Sequence, residues 1–165
     1  MVLVDARSEY VDAHTSPADA QAFQQEIAMQ GTMYGLTRGL GLIRLFGASQ
    51  WGPPAMSLQT RTALALFGTG QRAIAATAAE AQERAASDAQ LQAAPSLGDR
   101  PLIVLAAGQN MTQLPLWPEA QRRLAALSTN GHLIVVADGG HYIQLEHPTV
   151  VIDAVQQVVG QARGR

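Results

Sequence analysis

The stretch Val135-Val136-Ala137-Asp138-Gly139-Gly140-His141-Tyr142-Ile143-Gln144-Leu145-Glu146-His147-Pro148 decides how the rest of the chain reads. Its first residues close an apolar run, His132–Ala137, of the kind that forms a strand buried in a parallel sheet. Asp138-Gly139-Gly140 ends that run. The two glycines let the backbone turn sharply and carry the His141 imidazole into the crevice beyond the strand's carboxyl end, where parallel α/β sheets bind ligands. Pro148 then opens a helix to about Gln161, with Val151, Val155, Val158 and Val159 at helical spacing. A lone loop histidine also fits a residue with no chemical role, so its weight depends on what surrounds it.

Working outward, Pro101-Leu102-Ile103-Val104-Leu105-Ala106-Ala107-Gly108 reads as a second buried strand ending in a turn. A helix is predicted from about Pro118 to Leu127, stopped by Asn130-Gly131. At the other end, Val2–Val4 is a short β-branched run closed by Asp5. Ser16-Pro17 is a helix start, with Ser16 as N-cap, Pro17 in the first position and Asp19 in the first turn. That helix is expected to reach about Met29. From Ile27 to Ala79 the chain holds Arg38, Arg44, Arg61 and Arg72 but no Asp or Glu. Apolar residues recur there at Leu36, Leu40, Ile43 and Phe46, then at Leu64 and Phe67. Gly47 and Gly52-Pro53-Pro54 break the stretch into short helices. Residues 70–93 read as one Ala/Gln-rich surface helix ending before Pro95.

Strand, long helical insert, strand, helix, strand, helix is the order of a parallel α/β fold. Residues 1–9 and 96–165 would form the sheet-bearing core, and residues 10–95 a helical insert. Three strands make a thin sheet with apolar edges that proteins normally cover, so further strands are expected. A chain that opens directly on a strand, with no lead-in, reads as cut from something longer.

The 165 residues are enough for one domain with a core, and 47% hydrophobic against 15% charged residues marks the chain as globular. A net charge of −2 gives no pull toward nucleic acid. With no cysteine, disulfides, thiolate catalysis and Cys-based zinc sites are excluded. All basic side chains are arginine, a codon bias that carries no function. No run approaches the about 18 apolar residues of a membrane span. Met1-Val2-Leu3-Val4 is too short for a signal-peptide core and meets Asp5 at once. The compartment stays open.

The Gly139-Gly140-His141-Tyr142-Ile143-Gln144-Leu145-Glu146-His147-Pro148 stretch closely resembles the catalytic-histidine segment of α/β-hydrolases. Pro101–Gly108 and Trp117–Ser128 lie where that family has its penultimate strand and helix. Val2-Leu3-Val4-Asp5-Ala6 looks like the strand after the nucleophile-bearing unit, and residues 10–95 like the helical cap. The resemblance spans essentially the whole chain. It implies the C-terminal part of an α/β-hydrolase parallel sheet with a helical cap insertion. It also implies a nucleophile, a histidine base and an acid that orients the histidine, in that chain order.

His141 is the expected base. For the acid, the loop Gly108–Pro118 offers no carboxylate before Glu119, whereas Asp5 follows the strand that precedes the cap, a position other family members use. Asp5 is therefore preferred, with Glu119 and Asp138 as competitors. A strand-end Asp5 that only caps the next turn is the plain structural reading. The nucleophile, normally the centre of Gly-x-Ser-x-Gly, is expected upstream of Met1. Gly47-Ala48-Ser49-Gln50-Trp51 is the one near match, and it fails. Trp51 stands where a small residue is needed, and Gly52-Pro53-Pro54 prevents a following helix.

His14, His132 and His147 make no metal set, and Gly139-Gly140 and Gly68-Thr69-Gly70 make no phosphate loop. No cofactor is implied. Met33, Tyr34 and Trp51 are candidate substrate contacts, in a lining that extends to Met29, Leu40 and Leu42. The expected parent is a hydrolase of an ester or similar small molecule. A serine nucleophile is the usual form; an aspartate would point to an epoxide or haloalkane. The 165 residues alone are expected to be inactive. The rival is a non-catalytic module that self-associates through its sheet edge or rests on a membrane surface through residues 27–46.

Overall fold

In a computed structural model, residues 1–40, 42, 52, 56–94 and 96–164 are described. They fall into two compact units: Met1–His14 with Gln92–Arg165, and Thr15–Leu91.

The first unit is an α/β layer structure built on β2 (Leu102–Ala107), which lies between β1 (Val2–Val4) and β3 (Gly131–Val136) in a parallel sheet of order β1-β2-β3. Leu3 pairs with Val104, and Val104 with Leu133. All six β2 residues are buried, and their alternation divides the core into two faces. Ile103, Leu105 and Ala107 pack with Val136, Ile143 and Ala154, joined by Val151 and Val158 of α9 (Pro148–Arg163). On the other face Leu102 and Val104 pack with Leu124 of α7 (Trp117–Ala125), joined by Leu3 and Leu133. A strand covered on both faces needs an unbroken apolar run rather than an alternating one, and β2 has that run.

β3 departs from the sequence expectation. It begins and ends one residue earlier than predicted and is not buried throughout: Ile134 is 39% and Val135 45% exposed. The reason is its place at the edge of the described sheet, with β2 alone as its neighbour. Two further short helices are α1 (Glu9–His14) and α6 (Gly108–Gln113), with α8 (Ile143–Glu146) before α9.

The second unit is helical: α2 (Pro17–Gly39), α3 (Leu58–Gly68), α4 (Gln71–Gln82) and α5 (Arg84–Ala93). Ser16 caps α2 by accepting the Asp19 N–H at 3.1 Å, and Ser57 caps α3 by accepting the Thr60 N–H at 3.1 Å. α2 runs ten residues past the predicted end at Met29, because no proline interrupts it and its glycines cost too little to stop it. Gly31 faces α4, where a Cβ would meet Ile74 at 3.5 Å. The single helix predicted over 70–93 is divided at Glu83, the C-cap of α4. Met29, Met33 and Leu36 fall within an arc of about 60° on α2 at 3.6 residues per turn, and these three and Leu40, the residue after the helix, are more than half exposed.

Candidate active site

β1 delivers Asp5 to the carboxyl end of the sheet. Its N–H still pairs with the Leu105 carbonyl at 2.7 Å, the last rung of the ladder. The backbone then takes φ +43, the left-handed region that costs a non-glycine residue about 1 kcal/mol or more. Compensation comes from two contacts. Gln121 of α7, itself buried, donates from Nε2 to the Ala6 carbonyl at 2.8 Å and pins the turn. The Asp5 carboxylate, 0% exposed, is surrounded by N–H groups.

Four donors reach that carboxylate. Oδ1 accepts the Ala107 N–H at 2.9 Å and the Trp117 indole Nε1–H at 2.9 Å. Oδ2 accepts Asn110 Nδ2 at 2.5 Å and His141 Nδ1 at 2.8 Å. A carboxylate offers about four lone-pair sites, and here each has a partner. Three of the four donors come from the segment that leaves β2.

His141 arrives from the other side, on the loop after β3. Gly139 N–H donates to the Val136 carbonyl at 3.0 Å, and Gly140 N–H to Glu146 Oε2 at 2.5 Å, so both glycines are held by their own neighbourhood. The two strand exits touch directly. Gln109 N–H donates to the Gly139 carbonyl at 3.2 Å, and a Cβ on Gly108 would lie 2.2 Å from the Ala137 carbonyl oxygen. Only glycine permits that approach.

The imidazole ring is 58% exposed, with the buried carboxylate behind it and the Tyr142 ring edge-on at 5.2 Å. Because an ionised carboxylate can only accept, Nδ1 must carry the proton, and the neutral tautomer leaves Nε2 with a free lone pair. Among the described residues no hydrogen bond occupies Nε2. A ring oriented this way can take a proton from a hydroxyl group or water brought to its exposed face.

The other two carboxylates weighed from sequence lie elsewhere. Asp138 is 84% exposed and sits 3.6 Å from His147 Nε2. Glu119, on the outer turn of α7, is bonded by Arg123 and Arg122, whose guanidinium groups hold its carboxyl below the usual carboxylate range. Met33 and Tyr34 lie on α2 in the helical unit, Met33 exposed and Tyr34 half-buried. Trp51 and Ser49 lie outside the described residues. His14 Nδ1 meets the Tyr10 carbonyl at 2.9 Å. No group of three or more His, Cys, Asp or Glu side chains among the described residues is arranged to hold a metal ion, and no described helix is long and apolar enough to cross a membrane.

Asn110, Trp117 and Glu146 were not singled out from sequence. A usable signal existed for the first two. If the acid sits after β1, the segment after β2 must supply donors, and Gly108–Pro118 is a stretch without carboxylates that carries an amide and an indole.

A model of the alpha/beta hydrolase family matches residues 2–154. No curated protein and no solved structure matches the chain. The match runs from the strand that precedes Asp5, through the helical unit, to the helix that follows His141, and the chain therefore belongs to the alpha/beta hydrolase family.

Proposed function

We propose that this chain supplies the acid and base of a hydrolytic triad, with His141 as general base and Asp5 as the acid that orients it. One observation carries the reading: the buried Asp5 Oδ2 lies 2.8 Å from Nδ1 of a ring whose other nitrogen faces outward. His141 Nε2 takes the proton of a nucleophilic hydroxyl as it attacks the carbonyl carbon of an ester or similar small substrate. The imidazolium then returns that proton to the leaving group, while the Asp5 carboxylate offsets its charge. Water repeats the sequence on the acyl intermediate. The nucleophile is a serine on a segment outside these residues. If it is an aspartate, His141 activates the water that hydrolyses the ester intermediate.

On this reading the chain is the C-terminal portion of the enzyme, and residues 10–95 form its cap. Met33, Tyr34 and Trp51 are the proposed substrate contacts. The 165 residues alone do not turn over substrate. The test is hydrolysis of a chromogenic short-chain ester by the chain alone and by the chain joined to the reading frame preceding Met1. Turnover by the longer protein, abolished by His141→Ala, supports the assignment. Turnover by the chain alone that depends on His141 overturns the need for an outside nucleophile.

A second reading is favoured by the exposed Ile134 and Val135 on β3, apolar side chains on an edge strand. There the chain is a binding module without catalysis that pairs with a second copy through its sheet edge. Sedimentation separates the two: a monomer at micromolar concentration removes this reading.

A further inference from the structure

We infer that Asn110 and Trp117 are positioning residues that hold the Asp5 carboxylate plane at the angle that points an oxygen at His141 Nδ1; this rests on reading Asp5 and His141 as acid and base. The terminal torsion of an aspartate is broad, so nothing in Asp5 itself holds the carboxylate plane at one angle. Neighbouring donors must do so, and they are asymmetric. Trp117 Nε1 and the Ala107 N–H hold Oδ1, while Asn110 Nδ2 shares Oδ2 with the imidazole. The Asn110 amide has one productive orientation, because turning it over would set its carbonyl oxygen against the carboxylate.

The short segment that begins at Ala107 also touches both partners. Ala107 N–H and the Asn110 side chain hold the acid. Gln109 N–H holds the Gly139 carbonyl two residues before His141, with Gly108 against Ala137 between them. One turn of chain thus sets the acid, the loop of the base and the distance between them. Trp117, at the start of α7, closes the same carboxylate from the far end of that segment. Without the two side-chain donors the carboxylate keeps one backbone donor and the ring, and it is free to rotate.

The test uses the full chain with 15N-labelled histidine, because ring nitrogen shifts report the tautomer directly and need no turnover. In the wild type the His141 ring is expected as the Nδ1–H tautomer, with slow exchange of that proton. Asn110→Leu keeps the branching of the side chain and removes the donor, and Trp117→Phe removes the indole N–H while keeping an aromatic ring. In each variant the Nδ1–H fraction should fall, with exchange several-fold faster, while the amide map of β2, β3 and α9 is unchanged. Asn110→Ser, which returns a short donor, should recover part of the preference. A purely structural role predicts the reverse: lower stability with the tautomer intact. Wild-type tautomer and exchange in both Asn110→Leu and Trp117→Phe would overturn the inference while leaving the acid–base reading in place. Absence of any Nδ1–H preference in the wild type would instead overturn the acid–base reading.

Discussion

Asp5 and His141 stand 136 residues apart in sequence and 2.8 Å apart in space, with opposite exposures: the carboxylate is 0% and the imidazole 58% exposed. The asymmetry predicts unequal costs on removal. Asp5→Ala strips the acceptor from the Ala107, Asn110 and Trp117 donors, and leaving buried donors unpaired should cost about 2–5 kcal/mol. His141→Ala removes a half-exposed ring and should cost about 0.5 kcal/mol or less. Urea unfolding of the three proteins checks this. Equal destabilisation would mean that the carboxylate socket does not depend on its acceptor.

Two glycines should respond oppositely to the same change. Gly108→Ala drives a Cβ to within 2.2 Å of the Ala137 carbonyl oxygen, a backbone atom that cannot swing aside. The strand exits must separate, at an expected cost of about 3 kcal/mol or more. Gly160, inside α9, has nothing within 4 Å of its Cβ position. Gly160→Ala should raise stability by about 0.5–1 kcal/mol, the gain in helix propensity. Thermal melts of the pair, with the His141 ring spectrum, give both signs in one experiment.

Glu119 should make a pH-dependent contribution. Its carboxyl is held low, first by the hydrogen bond from Arg123, then by that from Arg122. A folded-state value below the unfolded one means the stabilisation is present above the unfolded value and is lost as pH falls through the folded one. The difference in melting temperature between wild type and Glu119→Gln should thus be seen at neutral pH. It should shrink as pH drops below the ordinary value of 4.5 and vanish well beneath it. High salt should reduce the same difference at neutral pH.

The exposed stripe on α2 predicts dye binding. Met29 is 64%, Met33 53%, Leu36 59% and Leu40 73% exposed. Met33→Gln with Leu36→Gln should cut fluorescence of a hydrophobic dye without lowering the melting temperature, because neither side chain is buried. A fall in melting temperature would place these residues in a packed interface.

What could be read before folding was what the chain encodes locally. β2 announces itself as six apolar residues in a row, and Ser16 carries its capping role within three residues of Asp19. The loop around His141 is legible for the same reason, since its two glycines act within the loop. The end of α2 was not, because glycine weakens a helix without stopping it, and neither Gly31 nor Gly35 lies near a proline. The exposure of Ile134 was hidden as well, for burial of a strand depends on which strands flank it. Asn110 and Trp117 look like ordinary loop and helix-start residues until Asp5, over a hundred positions away, is set beside them.

The sheet unit is assembled from Met1–His14 and Gln92–Arg165, so every partner of Asp5 and His141 described above lies outside the excursion through residues 15–91. The sequence of that excursion can therefore be rewritten without touching the Asp5–His141 pair. On the proposed function, shape selection and acid–base chemistry are encoded in separate stretches of the gene, and a lineage built on this plan can diversify what it admits while inheriting unchanged the means of acting on it.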